Sequence, residues 1–186
     1  MKMWTENEHK HFNITQDDYF KLNGVSYSWI KNEGQFIKAT PRMRFGSLVD
    51  AYLFEPEKYD GTYYELVKPV AAVVADLLKG VKGKPQVAVT ADFCHDGKRM
   101  PYKGRIDLLT SKVVIDLKIS EMDIERSINF FGYDRQIGGY CLATGCEKGL
   151  IISVHPRTKK VQKAIINPDK VREFWEVQIL KHGNNY

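Results

Sequence analysis

Asp107 and Asp116 stand nine positions apart, and Lys118 follows the second by two, within Gly104-Arg105-Ile106-Asp107 and Val113-Val114-Ile115-Asp116-Leu117-Lys118. On a strand, residues i and i+2 project to the same face, so Asp116 and Lys118 point together and Leu117 points the opposite way. Asp107 closes the preceding apolar segment, and a short hairpin through Thr110-Ser111 brings the two segments alongside. Two carboxylates and an ammonium converging at a strand end can hold Mg²⁺ and set water against a phosphodiester. An Asp-x-Lys pair alone more often marks a solvated edge or an ion pair. Here both aspartates interrupt apolar runs, 106–109 and 113–119, where an ionised group needs a partner or a metal.

The elements that must position these groups follow from period and punctuation. Phe45, Leu48, Val49, Tyr52 and Leu53 recur at helical spacing, and Glu55-Pro56 ends the run. Residues 69–79 read as a second helix closed by Gly80. Val87, Val89, Ala91 and Phe93 alternate as a strand, Asp96-Gly97 marks a hairpin turn, and residues 102–109 and 112–119 make two further strands. A helix over about 130–144, stopped by Gly145, precedes strands at 149–154 and 161–166, and a closing helix at 168–181 carries Pro168 in its first turn. Upstream, the first forty residues are polar and mixed, with a short helix expected at 14–20 and a turn at Asn23-Gly24. The order predicts an α/β fold with a mixed central β-sheet flanked by helices, αβββαβ, whose antiparallel part carries the acidic cluster. One domain is expected over 1–186, with an N-terminal extension at 1–43, a core at 44–166 and a closing helix and tail at 167–186.

Composition narrows the chemistry. The 186 residues are 43% hydrophobic and 27% charged, as in an ordinary globular protein. The formal charge of +5 weakly favours a polyanionic partner. No apolar run reaches the length of a membrane span, and the N-terminus has no signal-peptide core, so a cytoplasmic protein is expected. Cys94, Cys141 and Cys146 are odd in number and lack the paired short spacing of a zinc or iron–sulfur site, which predicts free thiols. His9, His11, His95, His155 and His182 show no metal-binding spacing and no pairing with a nucleophile. Gly80-Val81-Lys82-Gly83-Lys84 lacks the spacing and the Ser/Thr of a phosphate-binding loop.

Four stretches in order carry a family likeness. These are Phe45 to Pro56, with Gly46 followed four residues later by Asp50; 87–107, ending in Gly104-Arg105-Ile106-Asp107; Val114-Ile115-Asp116-Leu117-Lys118; and Tyr133 to Tyr140, with Gln136 and Tyr140 four apart. Together they make the chain resemble the PD-(D/E)xK nuclease superfamily, in its RecB-like branch, and most of all the RecE-type (exonuclease VIII) enzymes of phage recombination. The resemblance implies a restriction-endonuclease-like core and a metal-dependent DNA exonuclease, acting in a bacterial or phage-infected cell. It makes Asp107, Asp116 and Lys118 the catalytic residues. Asp107, Asp116 and the Leu117 carbonyl would hold Mg²⁺, with Mn²⁺ able to substitute. Lys118 would orient and help deprotonate the attacking water and stabilise charge in the transition state. Gln136 and Tyr140 would contact the DNA strand or support the lysine, with Arg105, Arg44 and Arg135 nearby. Relatives form rings around DNA, so a homo-oligomer is expected, and a single-strand annealing protein is a further candidate partner.

This chain departs from the pattern at two places. Where the family carries a metal-binding histidine it has Asp50. At about 100° per residue, Asp50 falls beyond the edge of the apolar stripe, leaving two readings: a solvated helix residue or a substituted, harder ligand. Gln86 stands where relatives often carry a glutamate. The rival functions are a DNA-binding or recombination-accessory module that keeps the fold without the activity, and an endonuclease of the same superfamily.

Overall fold

The computed structural model describes residues 4–12, 14–35 and 37–185. In chain order the elements are β1 (Trp4–His11), α1 (Gln16–Lys21), α2 (Tyr27–Lys31), α3 (Pro41–Phe54), α4 (Tyr64–Leu78), β2 (Lys84–His95), β3 (Lys98–Leu109), β4 (Val113–Ile119), α5 (Ile124–Phe131), α6 (Tyr133–Thr144), β5 (Lys148–Val154), β6 (Val161–Ile166), α7 (Arg172–His182) and β7 (Asn184–Asn185). Single 3₁₀ turns at Pro56–Lys58 and Pro168–Val171 follow α3 and precede α7. The strands form one seven-stranded sheet in the order β1-β2-β3-β4-β5-β6, with β7 on β3. Among the described strands only the pair β4 and β5 runs parallel, and the α5–α6 segment is the crossover that a parallel pair requires. The mixed sheet and the αβββαβ order are those expected from the sequence.

Local chemistry accounts for the long central hairpin. Asp96 and Gly97 both take left-handed φ, 47° and 71°, as a two-residue turn that matches strand twist demands. From it, β2 and β3 pair from His95–Lys98 to Lys84–Leu109. Thr40 caps α3 by accepting the Met43 N–H at 3.3 Å, with Pro41 in the first turn, and Pro56 closes it.

The sheet is covered on both faces. On one side α3 and α4 bury Val49, Val67, Val70, Ala71 and Val74 against Leu108, Ile115, Leu117, Ile152 and Val154. On the other, α6 and α7 bury Ile137, Tyr140, Trp175 and Ile179 against Phe93, Tyr102, Ile106, Val114 and Ile151. Small residues let α6 approach: a side chain at Gly149 would collide with Ile137, and one at Gly139 would collide with Trp175.

Three expectations about elements are corrected. The second helix starts at Tyr64 rather than 69, and Pro69 sits inside it. The proline forfeits one hydrogen bond near the N-terminal end, while Val67, Val70, Ala71 and Val74 at i, i+3, i+4 and i+7 bury a full apolar stripe. The helix expected over 130–144 is two helices, because Gly132 at φ 67° ends α5 and opens α6. A side chain there would collide with the Tyr27 hydroxyl. The polar N-terminal stretch contains a strand: β1 pairs with β2 and forms a sheet edge, a place where polar residues suit a strand. The stretch expected as an extension therefore supplies part of the sheet.

Candidate active site

The decisive feature is an opening along one edge of β3. Its other edge is paired along its length with β2. On the open edge, β7 pairs with Lys98 and Arg99, Val25 bridges Tyr102, and β4 joins only at Leu108–Ile115 and Leu109–Val114. Residues 104–107 face the gap left between them. The strict two-residue alternation of β3 also breaks here: Ile106 belongs to the α6/α7 core and Leu108 to the α3/α4 core. Asp107 lies at that break, and its Oδ2 accepts the Leu117 N–H at 2.8 Å, a side-chain bond where a ladder bond would otherwise run. The N–H and C=O of one strand residue face the same edge, so the Leu117 carbonyl also faces the gap.

Asp116 is 2% exposed and Lys118 forms an ion pair with its Oδ2. The Lys118 ammonium lies 4.8 Å from the centre of the Tyr133 ring. Burial opposes its charge, yet the Asp116 and Asp107 carboxylates hold it above the usual lysine range, so it stands as an ammonium. Burial pushes Asp107 well above the usual carboxylate range, and the Asp116 and Asp50 carboxylates add to this against Lys118 and the Leu117 N–H. Burial likewise pushes Asp50 up to about 7; Lys118 and Arg105 oppose this, and Asp116 and Glu55 reinforce it. Asp50 thus reaches the cluster from α3, on the sheet face opposite α6. Asp50 is half-buried there, within the field of Lys118 and Asp116.

Arg105 does not extend to solvent. Its Nη2 donates to Glu55 Oε2 at 3.0 Å, with both side chains about one-fifth exposed, 19% and 20%. Glu55 also pairs with Lys58. The cluster therefore sets Asp50, Asp107 and Asp116 against one ammonium, with Arg105 already engaged. Among the described residues, no three His, Cys, Asp or Glu side chains stand ready as a metal-binding group, and Asp116 turns its carboxylate to Lys118. The donor chemistry nonetheless fits a hard divalent cation: all donors are oxygens, and such an ion would favour the ionised carboxylates that burial disfavours at Asp50 and Asp107.

From the other face, α6 brings Tyr140 and Gln136. Gln136 Nε2 donates to the Tyr140 hydroxyl at 3.0 Å. Tyr140 packs over Gly104 of β3, and burial, then Tyr19, Asp116 and Asp107, pushes it well above the usual tyrosine range. It fits there because Gly104 has no side chain: a Cβ at that position would stand 2.7 Å from Tyr140 Cδ1. Arg135, on the same helix, is exposed and stacks over Phe174, 4.8 Å from the ring centre, towards α7. Arg44 is exposed on α3. Gln86 takes φ 48° between the pairs Pro85–Leu108 and Val87–Ile106, opposite Asp107.

Three neighbours were not singled out from the sequence. Glu55 closes α3 and holds Arg105. Tyr133 opens α6, and its ring backs Lys118. Tyr19, on α1, is pushed up to about 12 by burial, opposed by Arg105. Lys103 ties α1 down, donating from Nζ to the Phe20 and Leu22 carbonyls at 3.0 and 2.7 Å. The free carbonyls at a helix C-terminus attract such a cation, a signal visible only once the helix and β3 are side by side.

No family model and no curated protein matches the chain. Among solved structures it is similar to the crystal structure of SSO0001, at 15% identity and a TM-score of 0.44, over 93% of this chain and 89% of that one. It is similar to a phage-related exonuclease from Haemophilus somnus 129PT, at 16% identity and a TM-score of 0.38, over 92% and 96% of the two chains. It is also similar to Candida albicans Rai1 in complex with pU5-Mn2+, at 10% identity and a TM-score of 0.31, over 85% and 60%. At such TM-scores these likenesses assign neither family nor activity, and the site is read from its own geometry. No helix among the described residues is long and apolar enough to cross a membrane.

Proposed function

We propose that this chain is a metal-dependent deoxyribonuclease of the PD-(D/E)xK type that hydrolyses phosphodiester bonds at DNA ends, as a RecE-like exonuclease does. The observation that carries the reading is the Asp107 carboxylate spanning the gap to the Leu117 N–H, beside the buried Asp116–Lys118 pair. Asp107, Asp116, the Leu117 carbonyl and Asp50 would hold Mg²⁺ or Mn²⁺. When bound, such an ion supplies Lewis-acid polarisation of the phosphate and a more acidic water. Lys118 enters as an ammonium, so its part is to orient the water and stabilise the charge that builds on the phosphate oxygens. Tyr140, oriented by Gln136, would hold the strand at the opening. Tyr133 backs the lysine, and the Arg105–Glu55 pair keeps α3, and with it Asp50, against the cluster.

The ion pair that occupies Asp116 favours one rival, a module that binds DNA without cutting it. End-labelled linear DNA and closed circles, each with Mg²⁺, Mn²⁺ or chelator, separate the readings. Mononucleotide release from linear DNA alone is the expected result. Nicked circles would mean an endonuclease, and salt-dependent binding without any product would mean the binding module.

A further inference from the structure

A line of aromatic rings runs from solvent to Lys118. Phe130, at the end of α5, is 71% exposed, and its ring meets that of Phe131 edge-on with centres 4.9 Å apart. Phe131 in turn stacks on Tyr133 at 5.2 Å with the planes 24° apart, and Tyr133 carries the Lys118 ammonium at 4.8 Å. Phe130 and Phe131 are members of neither core cluster, so packing does not account for them. The kink at Gly132 sets the line at the junction of α5 and α6, braced by the Tyr27 hydroxyl donating to the Phe131 carbonyl at 3.0 Å. Cations flank it: the Lys31 ammonium lies 4.8 Å from the Phe131 ring centre, and exposed Arg126 sits one turn before Phe130 on the same helix face.

An exposed ring at the end of a ring stack flanked by cations suits one kind of ligand. Unpaired bases stack on aromatic side chains while their phosphates meet the neighbouring charges. Bases in a duplex are already stacked on one another and cannot use such rings. We propose that Phe130, propped edge-on against the Phe131–Tyr133 stack, is a stacking site for an unpaired base that leads a single-stranded DNA segment to Lys118, so that the strand reaches the site unpaired. This rests on the nuclease reading above and adds the form of the substrate.

The test uses the full chain with fluorescent single-stranded and blunt duplex oligonucleotides of one sequence, bound in chelator, alongside Mg²⁺-dependent cleavage of linear DNA by the parent protein. Phe130→Ala should weaken single-strand binding roughly tenfold, Phe130→Trp should keep it, and Phe130→Leu should behave like alanine, because stacking needs a ring face. Duplex binding should not change. High exposure at Phe130 spares the fold, which an unchanged Tm would verify. Single-strand affinity equal to the parent in Phe130→Ala, or equal losses on both forms of DNA, overturns the stacking site while parental cleavage leaves the nuclease reading standing. A parent that neither binds nor cuts DNA overturns both.

Discussion

Tyr140 occupies the space that a side chain at Gly104 would take, with the tyrosine Cδ1 2.7 Å from where that Cβ would lie. Gly104→Ala should therefore displace Tyr140 and, with it, the hydroxyl that Gln136 orients at 3.0 Å. Overpacking of this kind costs about 1–3 kcal/mol. The expected outcome is a lowered Tm with a sharp loss of cleavage. Pairing Gly104→Ala with Tyr140→Leu should recover part of the stability and none of the activity, which a thermal melt and a cleavage assay would separate.

Lys118→Met should abolish cleavage, a loss of at least about 100-fold, with DNA affinity in chelator largely kept. It also strands Asp116, which is 2% exposed, without its cation. Breaking one side of a buried pair costs on the order of 3 kcal/mol, whereas an Asp116→Asn, Lys118→Met double variant removes both charges and should melt close to the parent. Melting curves of the two variants check this; cleavage by Lys118→Met at the parental rate would remove the lysine from the mechanism.

In chelator, stability should fall as pH rises. Burial lifts Asp50 from the usual 3.8 to about 7 in the folded chain, so the folded state holds its proton where the unfolded state has lost it. The favourable contribution is complete below about pH 4 and is lost as pH rises through about 7. Asp107 is shifted in the same direction. Asp50→Asn should flatten the decline in Tm between these limits, and Mg²⁺ should raise the parental Tm most at the alkaline end. An identical pH profile for parent and variant would place Asp50 outside the cluster.

Two arginines should part company. Arg105 is 19% exposed and bound to Glu55, so Arg105→Ala should cost about 1–3 kcal/mol of stability. Arg44 is exposed, and Arg44→Ala should leave stability within about 0.5 kcal/mol. If Arg44 meets a DNA phosphate, its removal lowers the slope of log affinity against log salt by about 1. Urea melts and salt titrations of the two variants read these effects directly.

Cys94, Cys141 and Cys146 are all buried, with no disulfide among the described residues, and burial pushes the Cys141 thiol up to about 12. All three should react with a chromogenic disulfide reagent only after denaturation, without a prior reduction step. Fast labelling of the native protein would contradict the packing of α6 on the sheet.

Much of this was already determined by the chain's local order. The shared face of Asp116 and Lys118 follows from strand geometry, and the hairpin that presents Asp107 follows from Asp96-Gly97, whose turn needs only two residues that tolerate left-handed φ. The i, i+4 spacing of Gln136 and Tyr140 likewise yields their hydrogen bond from helix geometry alone. What period and turn chemistry did not carry depends on partners far away in sequence. β1 was hidden because an edge strand need not alternate, and the break at Gly132 because its constraint comes from Tyr27. Only the tertiary structure decided which edge of β3 stays open, because β7, Val25 and β4 each claim part of it and leave 104–107 to the site. That opening lets Asp50 reach the cluster from one face and Tyr140 from the other, a convergence set by long-range packing and electrostatics rather than by any spacing along the chain.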